Sequence, residues 1–184
     1  MIEDIINAAK NSVIAAIEGT SEVLTALRTA VKDQVTGTFA NVSDIATGGL
    51  DAVASVASGA IKGTNQVGTS VTQAAQGITS GIVVAVADTS VDTLSAISRA
   101  AQSIIHTVHE TAGNLEETAV GIVQGAIDGA SEVEISAAEA VTSAVTGVLK
   151  GADEIGGEVG KSVRSALLAA ASLPKDLIES AIKD

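Results

Sequence analysis

The chain has 184 residues, 46% of them hydrophobic, and its 22 acidic against 10 basic side chains give a formal charge of −12. That balance argues against a nucleic-acid binder, which needs clustered Lys and Arg, and against a disordered acidic tail, which lacks apolar surface to bury. Cysteine is absent, which removes disulfides, thiolate metal sites and thiol nucleophiles together.

Tyr and Trp are absent as well, and Phe and Pro occur once each, as Phe39 and Pro174. Any core must therefore come from Val, Ile, Leu and Ala rather than aromatic rings. The scarcity of Pro points to long helices, because ordinary multi-element domains use more Pro in their turns. The start, Met1-Ile2-Glu3-Asp4, lacks the basic segment of a secretory signal. The longest uncharged stretch, 63–87, is broken by Asn65, Gln66, Gln73 and Gln76 and makes a poor membrane span. A cytoplasmic protein is the default expectation.

The first predicted element is an all-α one: a long, nearly continuous amphipathic helix over residues 1–172, carried by an 11-residue repeat. Five of the eleven repeat positions hold 44 of the 51 Val, Ile, Leu and Phe residues, about twice the share expected by chance. One position runs through Ile6, Ile17, Leu50, Ile61, Leu94, Ile105, Ile127 and Leu149. A second runs through Val31, Val42, Val53, Val86, Ile97, Val108, Val141 and Val163. At about 98° per residue, eleven residues make three turns, and the five positions merge into one apolar stripe. Charges such as Glu22, Asp33, Asp88, Arg99 and Glu154 recur on the opposite side. A register held at eleven predicts a right-handed supercoil between helices.

In chain order, the candidate interruptions are Gly48-Gly49, Gly63-Thr64-Asn65, Gly113-Asn114 and Gly156-Gly157. Gly costs about 1 kcal/mol against Ala inside a helix. The stripe nevertheless passes each one in phase, which favours a single helix on the order of 250 Å long. Duplicated repeat units would also keep phase across a tight turn, so a helical hairpin or bundle is the alternative. The second predicted element is a short helix within 173–184, after Pro174. Ser172 is its expected cap, and Lys175–Glu179 and Glu179–Lys183 are expected pairs along it.

The 18 glycines carry a pattern of their own: Gly59-Gly63, Gly77-Gly81, Gly121-Gly125-Gly129 and Gly147-Gly151 sit four apart beside the stripe. Small residues on a ridge let helix backbones approach closely, so a second packing surface is expected there.

Chemistry-bearing clusters are sparse. His106, His109 and Glu110 share a helix face with metal-ligand spacing but fall on the polar side, where a solvated pair of histidines is the expectation. Glu116-Glu117 and Glu132 with Glu134 lack the partners that complete a catalytic set. Arg28, Glu116 and Glu134 intrude into the stripe, either fixing register or lying at its edge. No catalytic residue, cofactor or metal site is expected, and the chain does not read as an enzyme.

The period resembles that of hendecad coiled coils, in which right-handed parallel bundles bury such a stripe between chains. Segments such as 63–75, Gly-Thr-Asn-Gln-Val-Gly-Thr-Ser-Val-Thr-Gln-Ala-Ala, also look like the lipid-surface helices of the perilipin and synuclein type. The first resemblance implies a self-associating rod, a homo-oligomer or filament joined through the stripe residues named above. The second implies an amphipathic coat on lipid droplets, membranes or storage granules. Cations beside the stripe are confined to Lys10, Lys32, Arg164 and Lys175, which favours a protein partner over lipid. If each stripe side chain gains roughly 1.5 kcal/mol on burial, an isolated straight helix would leave tens of kcal/mol unrealised, so the stripe must be covered.

Overall fold

A computed structural model describes residues 1–18, 22–40 and 45–183, together with the backbone but not the side chains of Ile45, Ala46 and Thr47 among them. The described residues form nine helices: α1 (Ile2–Glu18), α2 (Val23–Phe39), α3 (Ile45–Gln66), α4 (Val71–Ala87), α5 (Thr93–Glu110), α6 (Leu115–Ala130), α7 (Ala137–Ile155), α8 (Gly157–Ala169) and α9 (Lys175–Lys183). The all-α expectation is met. The single helix over 1–172 is not: eight helices occupy that span, and the alternative of a multi-helix arrangement describes the chain.

The reason the phase misled lies in the length of the repeat unit. α4, α5, α6 and α7 begin at Val71, Thr93, Leu115 and Ala137, each 22 residues after the last. One helix with its turn therefore consumes two elevens, and the stripe re-enters every helix in register. Local chemistry marks the turns. Asp92 accepts the Ser95 N–H at 2.8 Å and caps α5, and Asn114 accepts the Glu117 N–H at 3.0 Å and caps α6. Gly68 turns the chain after α3 with φ of 71°, a left-handed conformation that Gly adopts without steric cost.

Of the four candidate interruptions, Gly113-Asn114 lies in the turn between α5 and α6, and Gly156 separates α7 from α8. Gly48-Gly49 and Gly63 lie inside α3, which ends at Gln66. At the C-terminal end, Pro174 rather than Ser172 opens α9, its carbonyl accepting the Ile178 N–H at 3.1 Å.

Helices α1, α3, α5, α7 and α9 form one layer, and α2, α4, α6 and α8 the other. Each helix packs on the second one along in its own layer and on its sequence neighbours in the other. Among the described residues no other helices meet, which makes the fold an open two-layer stack of repeats. The core lies between the layers, where Val53, Ile61, Ile82, Ile97, Ile122 and Val145 are fully buried. Each such side chain contributes about 1.5–3 kcal/mol of burial.

Candidate functional site

The stripe proposed for joining chains is satisfied within one chain. Ile17, Val31, Val53, Ile61, Val86 and Ile97 are buried, as are Ile105, Val108, Val141, Leu149 and Val163. Ile6, Leu50, Leu94 and Ile127 are half-buried, and Val42 lies outside the described residues. Folding back every 22 residues turns the stripe from an exposed face into the interlayer core.

The glycine pairs form the joints within each layer. On α3, a Cβ at Gly63 would stand 2.8 Å from the Lys10 carbonyl oxygen of α1; on α4, one at Gly81 would stand 2.6 Å from that of Arg28 of α2. Gly125 of α6 lies against the Gln76 carbonyl of α4 in the same way, and Gly147 of α7 against that of Ser98 of α5. Side chains at these positions would push the backbones apart. The expected second packing surface is therefore present, and it joins helix n to helix n+2.

The α3–α5 joint is built differently. Stepping 44 residues from Gly59 and Gly63 leads to Ser103 and Thr107, and another 44 leads to Gly147 and Gly151. Ser103 Oγ donates to the Ala54 carbonyl at 2.8 Å, and Thr107 Oγ1 donates to Ser58 Oγ at 2.9 Å. Hydroxyls here take the place of the bare backbone approach, each contributing about 1 kcal/mol net.

Charged side chains lace the same joints. Arg99 Nη2 meets Asp51 Oδ1 at 3.1 Å between α5 and α3. Between α5 and α7, Glu154 Oε2 accepts from Gln102 Nε2 at 2.7 Å and faces His106 Nε2 at 2.7 Å. The His106 hydrogen bond, followed by that of Gln102, holds the Glu154 carboxyl below its ordinary pKa. His106 is thus a joint residue, while His109 and Glu110 are exposed. Among the described residues no cluster of three metal-ligating side chains occurs.

In the other layer, Arg28 pairs with Glu132 across α4, and Gln76 Nε2 donates to Asp128 Oδ2 at 2.6 Å. These groups, with Leu24, Gly77 and Ser80, line a cavity of about 270 Å³. Arg28 thus ties α2 to the turn that follows α6. Glu116 likewise accepts from Ser162 and ties α6 to α8, whereas Glu134 is exposed in the turn before α7.

The two ends of the stack differ. At one end, α1 and α2 enclose a cleft of about 660 Å³ lined by Ser12, Ala16, Glu22, Thr25, Ala26, Thr29, Ala30, Asp33 and Gln34. At the other, α9 turns Lys175, Asp176, Glu179 and Lys183 outward. Beside it, Leu168 of α8 is 38% exposed, one of few large apolar side chains that are. The sequence hid this cleft because its lining residues come from two stretches, Ser12 with Ala16 and 22–34, that meet only when α1 and α2 pack.

Compared with models of known protein families and with curated proteins, the chain matches none. No helix among the described residues is long and apolar enough to cross a membrane.

Proposed function

We propose that the chain is a non-catalytic, self-associating scaffold, a short helical rod whose copies join into longer rods or filaments. The observation that carries this reading is the open cleft of about 660 Å³ between α1 and α2. Stacked-repeat proteins bury a continuous core by placing each unit on its neighbour. The α1/α2 cleft is a concave surface that mixes small side chains, Ala16, Ala26 and Ala30, with polar ones such as Ser12, Thr25 and Gln34. Association through an end also fits the burial of the stripe, because it requires no apolar face along the side of the rod.

Titratable groups support a structural role. Arg28, Arg99, His106 and Glu154 are engaged in holding one helix to another. A lipid coat would need the stripe on the surface, whereas its residues fill the interlayer core.

Light-scattering mass across a concentration series, with circular dichroism before and after adding lipid vesicles, tests the reading. The expected result is a helical protein whose mass climbs above the 18.1 kDa of one chain as concentration rises, with a spectrum indifferent to vesicles. A fixed mass of one chain at every concentration would overturn it, as would helix formation only on vesicles.

A further inference from the structure

We propose that the cavity of about 270 Å³ between α2, α4 and the end of α6 binds a primary ammonium group carried on a short alkyl chain. This site is independent of self-association. Its first sign is a hydroxyl that the fold leaves unused. Other buried hydroxyls in these helices return to a carbonyl one turn back: Thr38 to Gln34, Ser55 to Asp51, Thr64 to Ile61 and Thr118 to Asn114. Ser80 does not. It is 2% exposed and lines the cavity, and its Oγ has no hydrogen-bond partner in the protein. Thr79 Oγ1 is the other such atom among the described residues, and Thr79 is not part of the cavity wall. Buried polar groups are almost always paired, so an unpaired one on a cavity wall marks a place where a ligand supplies the partner.

The other polar groups of the wall hold one another in place. Gln76 Nε2 and Gln124 Nε2 donate to the two carboxylate oxygens of Asp128, at 2.6 Å and 3.2 Å, and Arg28 pairs with Glu132. These bonds set the side chains before any ligand arrives. They also leave an imbalance of charge. Arg28 is matched by Glu132, whereas the partners of Asp128 are neutral amides. Among the described residues Asp128 joins no ion pair, so the wall keeps a negative charge that no cation of the protein meets.

The free hydrogen-bonding capacity of the wall is mainly that of acceptors. Each Asp128 oxygen accepts one bond and has room for another. Ser131 Oγ donates to the Asp128 carbonyl and keeps its lone pairs, and Ser80 Oγ is wholly unengaged. An ammonium group has N–H donors, no acceptor and a positive charge, and so meets both the acceptors and the unmatched carboxylate. An anion would face Asp128 directly. A divalent metal lacks ligands here, since no cluster of three metal-ligating side chains occurs among the described residues. Size limits the remainder of the ligand, because the cavity is smaller than most small-molecule pockets, which run from about 300 to 1,000 Å³. Leu24, 36% exposed, gives the wall an apolar part for the alkyl chain.

Isothermal titration calorimetry on the full chain tests the site with three probes. These are n-propylammonium chloride, a free amine; Nα-acetyl-lysine amide, a lysine side chain in a peptide setting; and tetramethylammonium chloride, a cation without an N–H donor. At least one primary amine should bind about tenfold or more tightly than tetramethylammonium, the worth of a hydrogen bond to a charged group. Binding of n-propylammonium alone would support the site and assign it to a small free amine. Binding of the lysine derivative as well would support it and admit a lysine of a partner protein. Ser80→Ala and Asp128→Asn should each weaken the amine by about tenfold or more, with helicity by circular dichroism unchanged. Ser80→Ala removes a hydroxyl that no protein group uses, so it carries the test even where Asp128→Asn disturbs the fold. Primary amines that bind no better than tetramethylammonium would overturn the proposal. So would amines that bind both variants as they bind wild type, which would put them elsewhere on an acidic surface.

Discussion

Replacing Gly81 by Ala should destabilise the protein, although the same change in an isolated helix would stabilise it. In α4 the new Cβ would stand 2.6 Å from the Arg28 carbonyl oxygen and 3.1 Å from the Val31 Cβ of α2. To restore an ordinary 3.4 Å contact, α4 must withdraw from α2 by most of an ångström, because a backbone carbonyl cannot rotate aside as a side-chain tip can. Overpacking of this kind costs about 1–3 kcal/mol, with the rigid obstacle placing it near the upper end. Helix propensity returns about 1 kcal/mol, which leaves a net loss of about 1–2 kcal/mol. Gly37 in α2 provides the control, since a Cβ there meets nothing within 4 Å. Gly37→Ala should therefore raise stability by about 0.5–1 kcal/mol. Urea unfolding followed by circular dichroism is the suitable assay, as the chain has neither Trp nor Tyr to report by fluorescence. With a slope of about 2 kcal/mol/M, the two midpoints should move in opposite directions, that of Gly81→Ala falling by roughly 0.5–1 M. Equal stabilisation by both substitutions would refute the reasoning, because it would mean that no backbone approaches Gly81.

Asp92→Ala removes the cap of α5 and should lower stability by about 1 kcal/mol, which the same urea titration would read; Asp92→Asn should recover most of the loss. Acid should loosen the fold through Asp92 and Glu154. The Ser95 contacts lower the pKa of the first, and the His106 and Gln102 contacts lower that of the second. Their stabilisation is in force above the ordinary carboxylate pKa and is lost as pH falls through the lowered folded-state values. Unfolding midpoints should therefore drop below about pH 4, and less so in the Glu154→Gln variant. The Arg28–Glu132 pair is partly exposed, with side chains 27% and 47% accessible. A double-mutant cycle with alanine at both positions should give a coupling of no more than about 1 kcal/mol, reduced by salt.

The helical nature of the chain and the identity of its core positions were legible from the 11-residue period, since Val53, Ile61, Ile97 and Ile105 fall on the stripe and are fully buried. The turns were not. A repeat unit of two elevens leaves no phase slip at Asp92 or Asn114, and neither the 88–92 turn nor the 131–136 turn contains Gly or Pro. Asn114 was visible in the Gly113-Asn114 pair, but the unbroken period outweighed it. The glycine pairs pointed correctly to close backbone approach, yet their partners, two helices earlier in the chain, follow only from the 44-residue step linking Gly59, Ser103 and Gly147. Arg28 stood out as a charge within the stripe, while its partner Glu132 could not be singled out among many acidic residues. The α1/α2 cleft was illegible because its lining comes from two helices that the unbroken period did not show to be packed on each other.

The return of the chain upon itself can be tested on a background free of native thiols. Thr107 Oγ1 of α5 and Ser58 Oγ of α3 stand 2.9 Å apart, whereas along one continuous helix these residues would be separated by about 70 Å. The double variant Ser58→Cys with Thr107→Cys, oxidised in dilute solution, should form a disulfide within each chain, leaving no titratable thiol and faster migration on a non-reducing denaturing gel. Thiols that stay free, or that link only between chains, would contradict the folded stack and return the stripe to the role of an intermolecular seam.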